Sequence, residues 1–340
     1  RKCCIFCNED NWGEIMAIPK DYRSSGVDIK VEEKSISALV SIIKETLKFR
    51  KGEIGAAIGD IGSFSGFIEF GNYALSLATD GVGSKVLVAQ KLKKYDTVGI
   101  DVIAMNVNDV ICNGGTPIAF VDYIALEKTS EYMLGEIAKG LLEGAKQSNM
   151  PIVGGETATL PDIIKGDGEG FDLAGTCLGV VEKDKIISGK DIKPEDVVIG
   201  IASSGIHSNG LTLARKVLGV EDYPEVLIPT RIYVKQILEL TQKVKVKGMA
   251  HITGSGLLNL KRLKKGMGFE LELPEPPMIF KKMMAAGVEI EEMYKTFNMG
   301  TGFMVIVAKE DSDKALNILN KYYQSYEIGK VISEDVIRTH

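Results

Sequence analysis

The residues best placed to do chemistry begin with Thr79-Asp-Gly-Val-Gly-Ser-Lys85, a carboxylate at the end of an apolar run, then two glycines and a lysine. Such a turn lets backbone N–H groups approach a phosphate while Asp80 holds a cation. It is not the GxxxxGK[ST] pattern of a P-loop, and its plainer reading is a strand-to-helix turn. Asp101–Asp109 (DVIAMNVND) reads as helix, with Asp101, Met105 and Asn108 on one face and Asn106 and Asp109 on another. Asp109 is hemmed by Val107, Val110 and Ile111, and a half-buried carboxylate there is costly unless paired or metal-bound. Gly154-Gly-Glu-Thr157 repeats the logic, with glycines clearing room at a strand end and Glu156 offering a further acid. Asp80, Asp109 and Glu156 together would form the all-oxygen shell that magnesium prefers.

The second half carries two polar loops ahead of helices. Ser203-Ser-Gly-Ile-His-Ser-Asn-Gly210 offers small hydroxyls, backbone amides and a helix dipole, which suit a phosphate. His207 within it could donate to that phosphate or shuttle a proton. The plainer reading is an N-cap at Ser208 or Asn209. His251-Ile-Thr-Gly-Ser-Gly256 repeats the design, and its plainer reading is a core histidine followed by a cap.

Composition narrows the partners. The three histidines leave imidazole-based metal chemistry without ligands, so a metal here is expected to be a hard cation on oxygen. Forty-one basic against 46 acidic residues give −5, which argues against a non-specific nucleic-acid binder. No apolar run reaches the roughly 18 residues of a membrane span. Five cysteines, three of them at Cys3, Cys4 and Cys7, make no disulfide framework and suggest a reduced, cytoplasmic setting. Cys4-x-x-Cys7 has the spacing of half a zinc site with no second pair to complete it. Thirty-seven glycines against ten prolines point to tight turns and close backbone approaches to ligands, not to disorder.

The elements that must position these residues follow from periodicity. At roughly 150 residues per domain, 340 residues suggest two. Ile36, Leu39, Val40, Ile43 and Leu47 mark a helix. Strands are expected at 73–79, 117–126, 151–153 and 171–182, with helices at 101–112 and 130–148. Beyond a charged stretch at 182–185, strands at 197–202, 303–308 and 326–332 alternate with helices at 211–218, 231–242, 257–264 and 311–322. The boundaries read as an atypical, disordered leader over 1–20, an N-terminal domain over 21–185 and a C-terminal α/β domain over 186–340.

Taken in order, Thr79–Lys85, Thr97–Asp109, Val153–Thr157, His207-Ser-Asn-Gly210, Ala250–Gly254 and Met293–Asn298 resemble the phosphoribosylformylglycinamidine cyclo-ligase (aminoimidazole ribonucleotide synthetase) family. The resemblance runs from about Asp21 to Ile337. Departures are mild: Ser84 where the family usually has threonine, Ser255 where it has glycine, Met299-Gly-Thr for Cys-Gly-Val, a looser Gly62-Ser-Phe-Ser-Gly66 loop, and Arg23 for a lysine. Residues 1–15 match nothing in the family pattern, and their removal is expected to leave activity intact.

The resemblance implies an α/β (α+β) fold of two domains, the N-terminal sheet pairing across a homodimer. It implies ATP-dependent closure of formylglycinamidine ribonucleotide to 5-aminoimidazole ribonucleotide in purine biosynthesis, with Mg2+ as cofactor. Asp80, Lys85, Asp109 and His207 are then expected to be catalytic. Gly62, Phe64, Thr79, Asp80, Gly81, Gly83, Ser84, Lys85, Asp101 and Asn106 are expected around ATP. Ser204, His207, Ser208, Asn209, His251, Thr253 and Asn298 are expected around the substrate, and Asp80, Asp109 and Glu156 around the metal. Rivals of the same superfamily fit less well. Selenophosphate synthetases need a reactive Cys or Sec in an N-terminal loop, and no Cys lies between 8 and 111. The hydrogenase-maturation relative ends in a reactive cysteine, whereas this chain ends Arg338-Thr-His340. Thiamine-monophosphate kinase is not expected to carry His207-Ser-Asn-Gly210.

Overall fold

The computed structural model describes residues 29–340; the expected leader, its three cysteines and Arg23 lie outside the described residues. Two sheets organise the chain. The first holds β1 (Ala57–Ile58), β2 (Gly66–Phe70), β3 (Tyr73–Gly81), β4 (Thr116–Leu126), β5 (Ile152–Thr159) and β6 (Phe171–Glu182), in the order β1-β2-β3-β6-β4-β5. The second holds β7 (Val197–Ala202), β8 (Val246–His251), β9 (Gly268–Leu271), β10 (Thr301–Val307), β11 (Ser325–Ile332) and β12 (Ile337–Thr339), in the order β12-β9-β11-β7-β10-β8.

Helices α1 (Ile29–Ile43), α2 (Val86–Leu92), α3 (Val98–Cys112) and α4 (Glu131–Ser148) belong to the first half. The second half adds α5 (Leu211–Val217), α6 (Tyr223–Val226), α7 (Val234–Lys243), α8 (Met278–Ala285), α9 (Ile290–Thr296) and α10 (Ser312–Leu319). The long helices start and stop for local reasons. Ser130 Oγ accepts from Met133 N–H at 3.3 Å as the N-cap of α4, and Asn149 closes it in the left-handed region at φ 51°. Helices α3 and α4 cross through glycines: a Cβ on Gly99 would lie 2.3 Å from Leu141 N, and one on Gly140 2.3 Å from Asp96 O. Substituting either would push the helices apart.

One face of the first sheet packs on α3 through Ala74, Ser76, Ala78, Phe120, Leu173 and Cys177, all buried. The alternate residues Leu77, Val121 and Tyr123 stay exposed on the opposite face. In the second sheet β7, β8 and β10 are buried almost throughout, as strands covered on both faces should be.

The structure departs from the sequence reading at Gly154-Gly-Glu156. These residues do not end a strand; β5 runs through them to Thr159. Gly155 pairs with Asp122 of β4, whose carboxyl Oδ1 would stand 2.5 Å from a Cβ there, so the glycine makes room for a neighbouring side chain. The helix expected over 257–264 is a 3-10 helix at Gly256–Arg262.

Candidate functional site

Helix α3 is the spine of the site. Its i, i+4, i+7 face grips the C-terminal half. Asp101 Oδ1 accepts from Thr230 N–H at 2.8 Å and Thr230 Oγ1 at 2.6 Å. Asn108 Nδ2 donates to Arg231 O at 2.8 Å, and its Oδ1 accepts from Tyr233 N–H at 3.0 Å. Met105 Sδ lies 3.9 Å from Asn209 Nδ2. The segment 228–233 is bound as tightly to its own half: Ser204 Oγ donates to Pro229 O at 2.6 Å, and Arg231 Nη1 to Ala202 O at 2.7 Å. Sequence reading found the α3 face but not Thr230, Arg231 or Tyr233, which lie over a hundred residues away with no local signal.

Lys85 is placed otherwise than a phosphate cradle requires. Its side chain is fully buried, 2.9 Å from Asp101 and donating to Ile228 O at 2.7 Å. Burial lowers the Lys85 ammonium and raises the Asp101 carboxyl from their ordinary values, and each partner opposes the other's shift. Neither side chain opens onto a cleft, so both act as an internal tie between the domains.

Asp80 does face solvent, near the end of β3 on the face that α3 covers. Its Oδ1 accepts from Gly81 N–H at 2.7 Å, and Asn106 Nδ2 donates to its backbone carbonyl at 3.2 Å. Asn106 is fully buried, so it holds the strand end to the helix rather than reaching a ligand. Asp109 follows Asn106 by nearly one turn and is half-buried at 19% exposure. Partial burial raises the Asp80 carboxyl above its ordinary value; the Asp109 carboxylate adds to this, while Gly81 N–H and His251 oppose it.

Glu156 does not join them. It pairs with Tyr123, which pairs with Ala174, which pairs with Gly81, a span of three strands or about 14 Å. Register also puts Glu156 on the opposite face of the sheet from Asp80. Among the described residues, no cluster of three or more acids, histidines or cysteines could hold a metal ion.

The loop 203–210 closes over the Asp80 turn, with Ser208 Oγ donating to Val82 O at 3.1 Å and Ser84 Oγ 3.2 Å from Thr212 Oγ1. His207 is fully buried in the left-handed region at φ 64°. Its Nε2 accepts from Ser204 N–H at 3.2 Å, so its proton sits on Nδ1, which has no partner among the described residues. Burial, then His251, Lys85 and Arg231, push its pKa well below the usual histidine value. Fully enclosed, the imidazole reaches no open surface where a phosphate could meet it, contrary to expectation. Asn298 is likewise a staple: its Nδ2 donates to Gly205 O at 2.9 Å and Ile206 O at 3.2 Å, and its Oδ1 accepts from Gly300 N–H at 2.8 Å. His251 is buried, with Nδ1 2.9 Å from Asp109 Oδ1. The residues left facing the domain junction with some exposure are Asp80, Gly83, Ser84, Asp109, Asn209 and Thr253, whereas Thr79 lies on the opposite face of the sheet, 3.0 Å from Thr176 Oγ1.

The Gly62–Gly66 loop is pinned where sequence gave no hint. Asn113 Oδ1 accepts from Ser63 Oγ at 3.0 Å and Ser65 N–H at 3.4 Å, and Arg262 stacks over buried Phe64 at 5.2 Å. Gly62, at φ 129°, stays exposed at the loop's edge.

Comparison with known proteins places this architecture. The N-terminal domain of AIR synthase related protein matches residues 62–181, and its C-terminal domain residues 193–340. A Pyrococcus horikoshii protein named phosphoribosylformylglycinamidine cyclo-ligase is 54% identical over 92% of this chain and 95% of its own length. Its namesake from Methanocaldococcus jannaschii is 51% identical over 92% of each chain. Two solved structures share the fold at 18% identity: AaThiL complexed with AMPPCP and TMP (TM-score 0.63, covering 88% of this chain and 92% of that one) and the hydrogenase maturation protein HypE in complex with ATP (TM-score 0.59, 78% and 82%). With both domain models matched in order and more than half of the residues identical over 92% of the chain, the chain belongs to the phosphoribosylformylglycinamidine cyclo-ligase family.

Proposed function

We propose that this chain is an ATP-dependent ligase that converts formylglycinamidine ribonucleotide to 5-aminoimidazole ribonucleotide, releasing ADP and phosphate, in purine biosynthesis. The observation that carries this reading is 54% identity over 92% of the chain to a relative named for that activity. An amide oxygen leaves poorly. Transfer of the γ-phosphoryl group to the formyl oxygen makes it a leaving group; the amidine nitrogen then attacks the formyl carbon, and the C–O bond breaks to release phosphate. Because the attack is intramolecular, positioning supplies much of the rate, with effective molarities reaching roughly 10⁵–10⁸ M in well-oriented cases.

Asp80 and Asp109 fit a magnesium site. Asn106, three residues before Asp109 on α3, donates to the Asp80 backbone carbonyl at 3.2 Å, so both acids sit where α3 meets the end of β3, and magnesium on a nucleotide uses one or two protein carboxylates beside phosphate oxygens. When bound, the cation neutralises charge on the ATP phosphates. Gly81, Gly83 and Ser84 line the turn beside those carboxylates, Thr79 holds the strand end from the other face of the sheet, and Gly62 and Phe64 stand in the second glycine loop. Asn209 and Thr253 present polar groups from the C-terminal half, with Ser204 and Ser208 holding the loop that carries Asn209. His207, Lys85, Asp101, Asn106 and Asn298 act from behind, fixing the elements that carry the exposed groups. A homodimer through the uncovered sheet face and a cytoplasmic location complete the reading; among the described residues no helix is long and apolar enough to cross a membrane.

The test is ADP release with formylglycinamidine ribonucleotide, run beside thiamine monophosphate and selenide. Turnover with the first alone is expected. Turnover with either control and none with the ribonucleotide would overturn the assignment.

A further inference from the structure

The side chain of Asp109, the half-buried acid of the site, is held from the other domain. His251 ends β8 in the C-terminal half, is fully buried, and places Nδ1 2.9 Å from Asp109 Oδ1. What sets the imidazole is Asn108, the residue before Asp109. The amide of Asn108 has only one workable orientation, because its Oδ1 accepts from Tyr233 N–H at 3.0 Å and its Nδ2 donates to Arg231 O at 2.8 Å. That same Nδ2 lies 3.4 Å from His251 Nε2, at the long end of hydrogen-bond range. A carboxylate can only accept, so whatever the charge on the ring, the nitrogen that faces it, Nδ1, carries a proton and donates to Asp109. The ring is also fixed by packing, with the Phe303 ring tilted 31° to it at 6.3 Å.

We propose that His251 is a positioning residue for the metal site: its Nδ1–H holds the Asp109 carboxylate toward Asp80, and the backbone of 231–233, acting through Asn108, fixes the ring that does so. The inference rests on the reading that Asp80 and Asp109 hold a divalent cation. It gives His251 a place behind the acid instead of against the substrate. It also makes the cation site a property of both domains, since Asp109 takes its aim from β8 while Asp80 takes its own from β3. A free carboxylate would have to give up its rotational freedom on binding the cation; one already held by an N–H donor does not, and it keeps its second oxygen for the metal.

The experiment measures Mn2+ bound in the presence of a non-hydrolysable ATP analogue, by electron paramagnetic resonance, in the wild type and in His251→Asn, His251→Gln and His251→Leu. The asparagine amide can set a donor where Nδ1 stands, whereas the glutamine amide reaches toward the Nε2 position and leucine has no donor. Outer partners of metal ligands typically contribute roughly 10- to 100-fold in affinity. We expect losses of that size in His251→Gln and His251→Leu, substantial recovery in His251→Asn, and no parallel ordering of the melting temperatures. Equal Mn2+ affinity in all four proteins, or an affinity order that simply follows the melting temperatures, overturns the positioning role. Absence of nucleotide-dependent Mn2+ binding in the wild type overturns instead the reading of Asp80 and Asp109 as cation ligands, on which the role depends.

Discussion

The Lys85 ammonium lies 2.9 Å from the Asp101 carboxylate with neither side chain exposed, and both reach across the domain junction to the segment 228–233. Desolvation of two such charges offsets much of their attraction, so the pair contributes more to the alignment of the domains than to net stability. Removing one member is another matter, because it strands a charge in the interior.

Lys85→Met is therefore expected to destabilise the protein by about 3–5 kcal/mol, the usual result of breaking a buried pair. Whatever protein remains folded should bind ATP with little change, since the ammonium does not reach an open cleft. Denaturant unfolding together with nucleotide titration of the folded fraction checks this. A stable Lys85→Met protein with ATP affinity lost would return Lys85 to the phosphates.

Part of this arrangement was legible in the residues. The i, i+4, i+7 spacing of Asp101, Met105 and Asn108 marked one working face of a helix, and α3 does present that face to the other domain. What the face meets was not legible, because Thr230 and Arg231 are ordinary residues brought there by tertiary folding. Asp80 and Asp109 stand out in the sequence through their glycine-rich and apolar surroundings, and the structure leaves both with some exposure. The place of Glu156 is not legible, since Gly154-Gly155 has the composition of a turn while the chain continues as strand, and each further residue switches faces. The enclosure of His207 is not legible for the converse reason: its loop is polar in sequence, but Asn298 and the segment 228–233 hold that loop down.

Asp109→Asn should separate turnover from folding. An amide oxygen can still accept from His251, so the melting temperature should change by only a few degrees. Turnover should fall by at least about 100-fold, the upper end of what outer partners of metal ligands contribute. The same variant has a consequence for Asp80. The Asp109 charge is one cause of the raised Asp80 carboxyl, so its removal should lower that pKa toward the ordinary 3.8. Protons and a cation compete for the same oxygens; in the wild type the acid loss of metal binding should thus begin at a higher pH than for an unshifted aspartate. A carbon-detected carboxyl titration without nucleotide reads the Asp80 shift directly, and an unmoved Asp80 in Asp109→Asn would show that the two acids do not share a site.

His207 links stability to pH with a definite sign. Its folded pKa lies well below the ordinary 6.5, so the folded protein stays neutral there while the unfolded chain takes up a proton. Stability is full above the unfolded value and is lost as pH falls below it, at up to about 1.4 kcal/mol per unit until the folded pKa is reached. Urea unfolding at pH 7.5 and 5.5 should show this loss in the wild type, and a smaller one in His207→Gln. The same pH dependence in both proteins would mean that His207 is as easily protonated in the fold as out of it.

The uncovered face of the first sheet gives the last prediction. Leu77 on β3 and Val121 and Tyr123 on β4 are each about two-fifths exposed, on strands separated only by β6 and on one side, while α3 covers the other. A sheet of this kind buries its apolar side against something, and a second copy of the same face satisfies both at once. The protein is expected to run as a dimer at micromolar concentration by light scattering. Val121→Lys removes an apolar side chain worth about 2 kcal/mol when buried. Two-fold symmetry counts it twice, so dimerisation should weaken by about 4 kcal/mol, or roughly a thousandfold in Kd. Circular dichroism should be unchanged, because Val121 points away from the core that α3 packs. A wild type that is monomeric at the concentrations used in the activity assay, and fully active there, would leave this face without a symmetric partner.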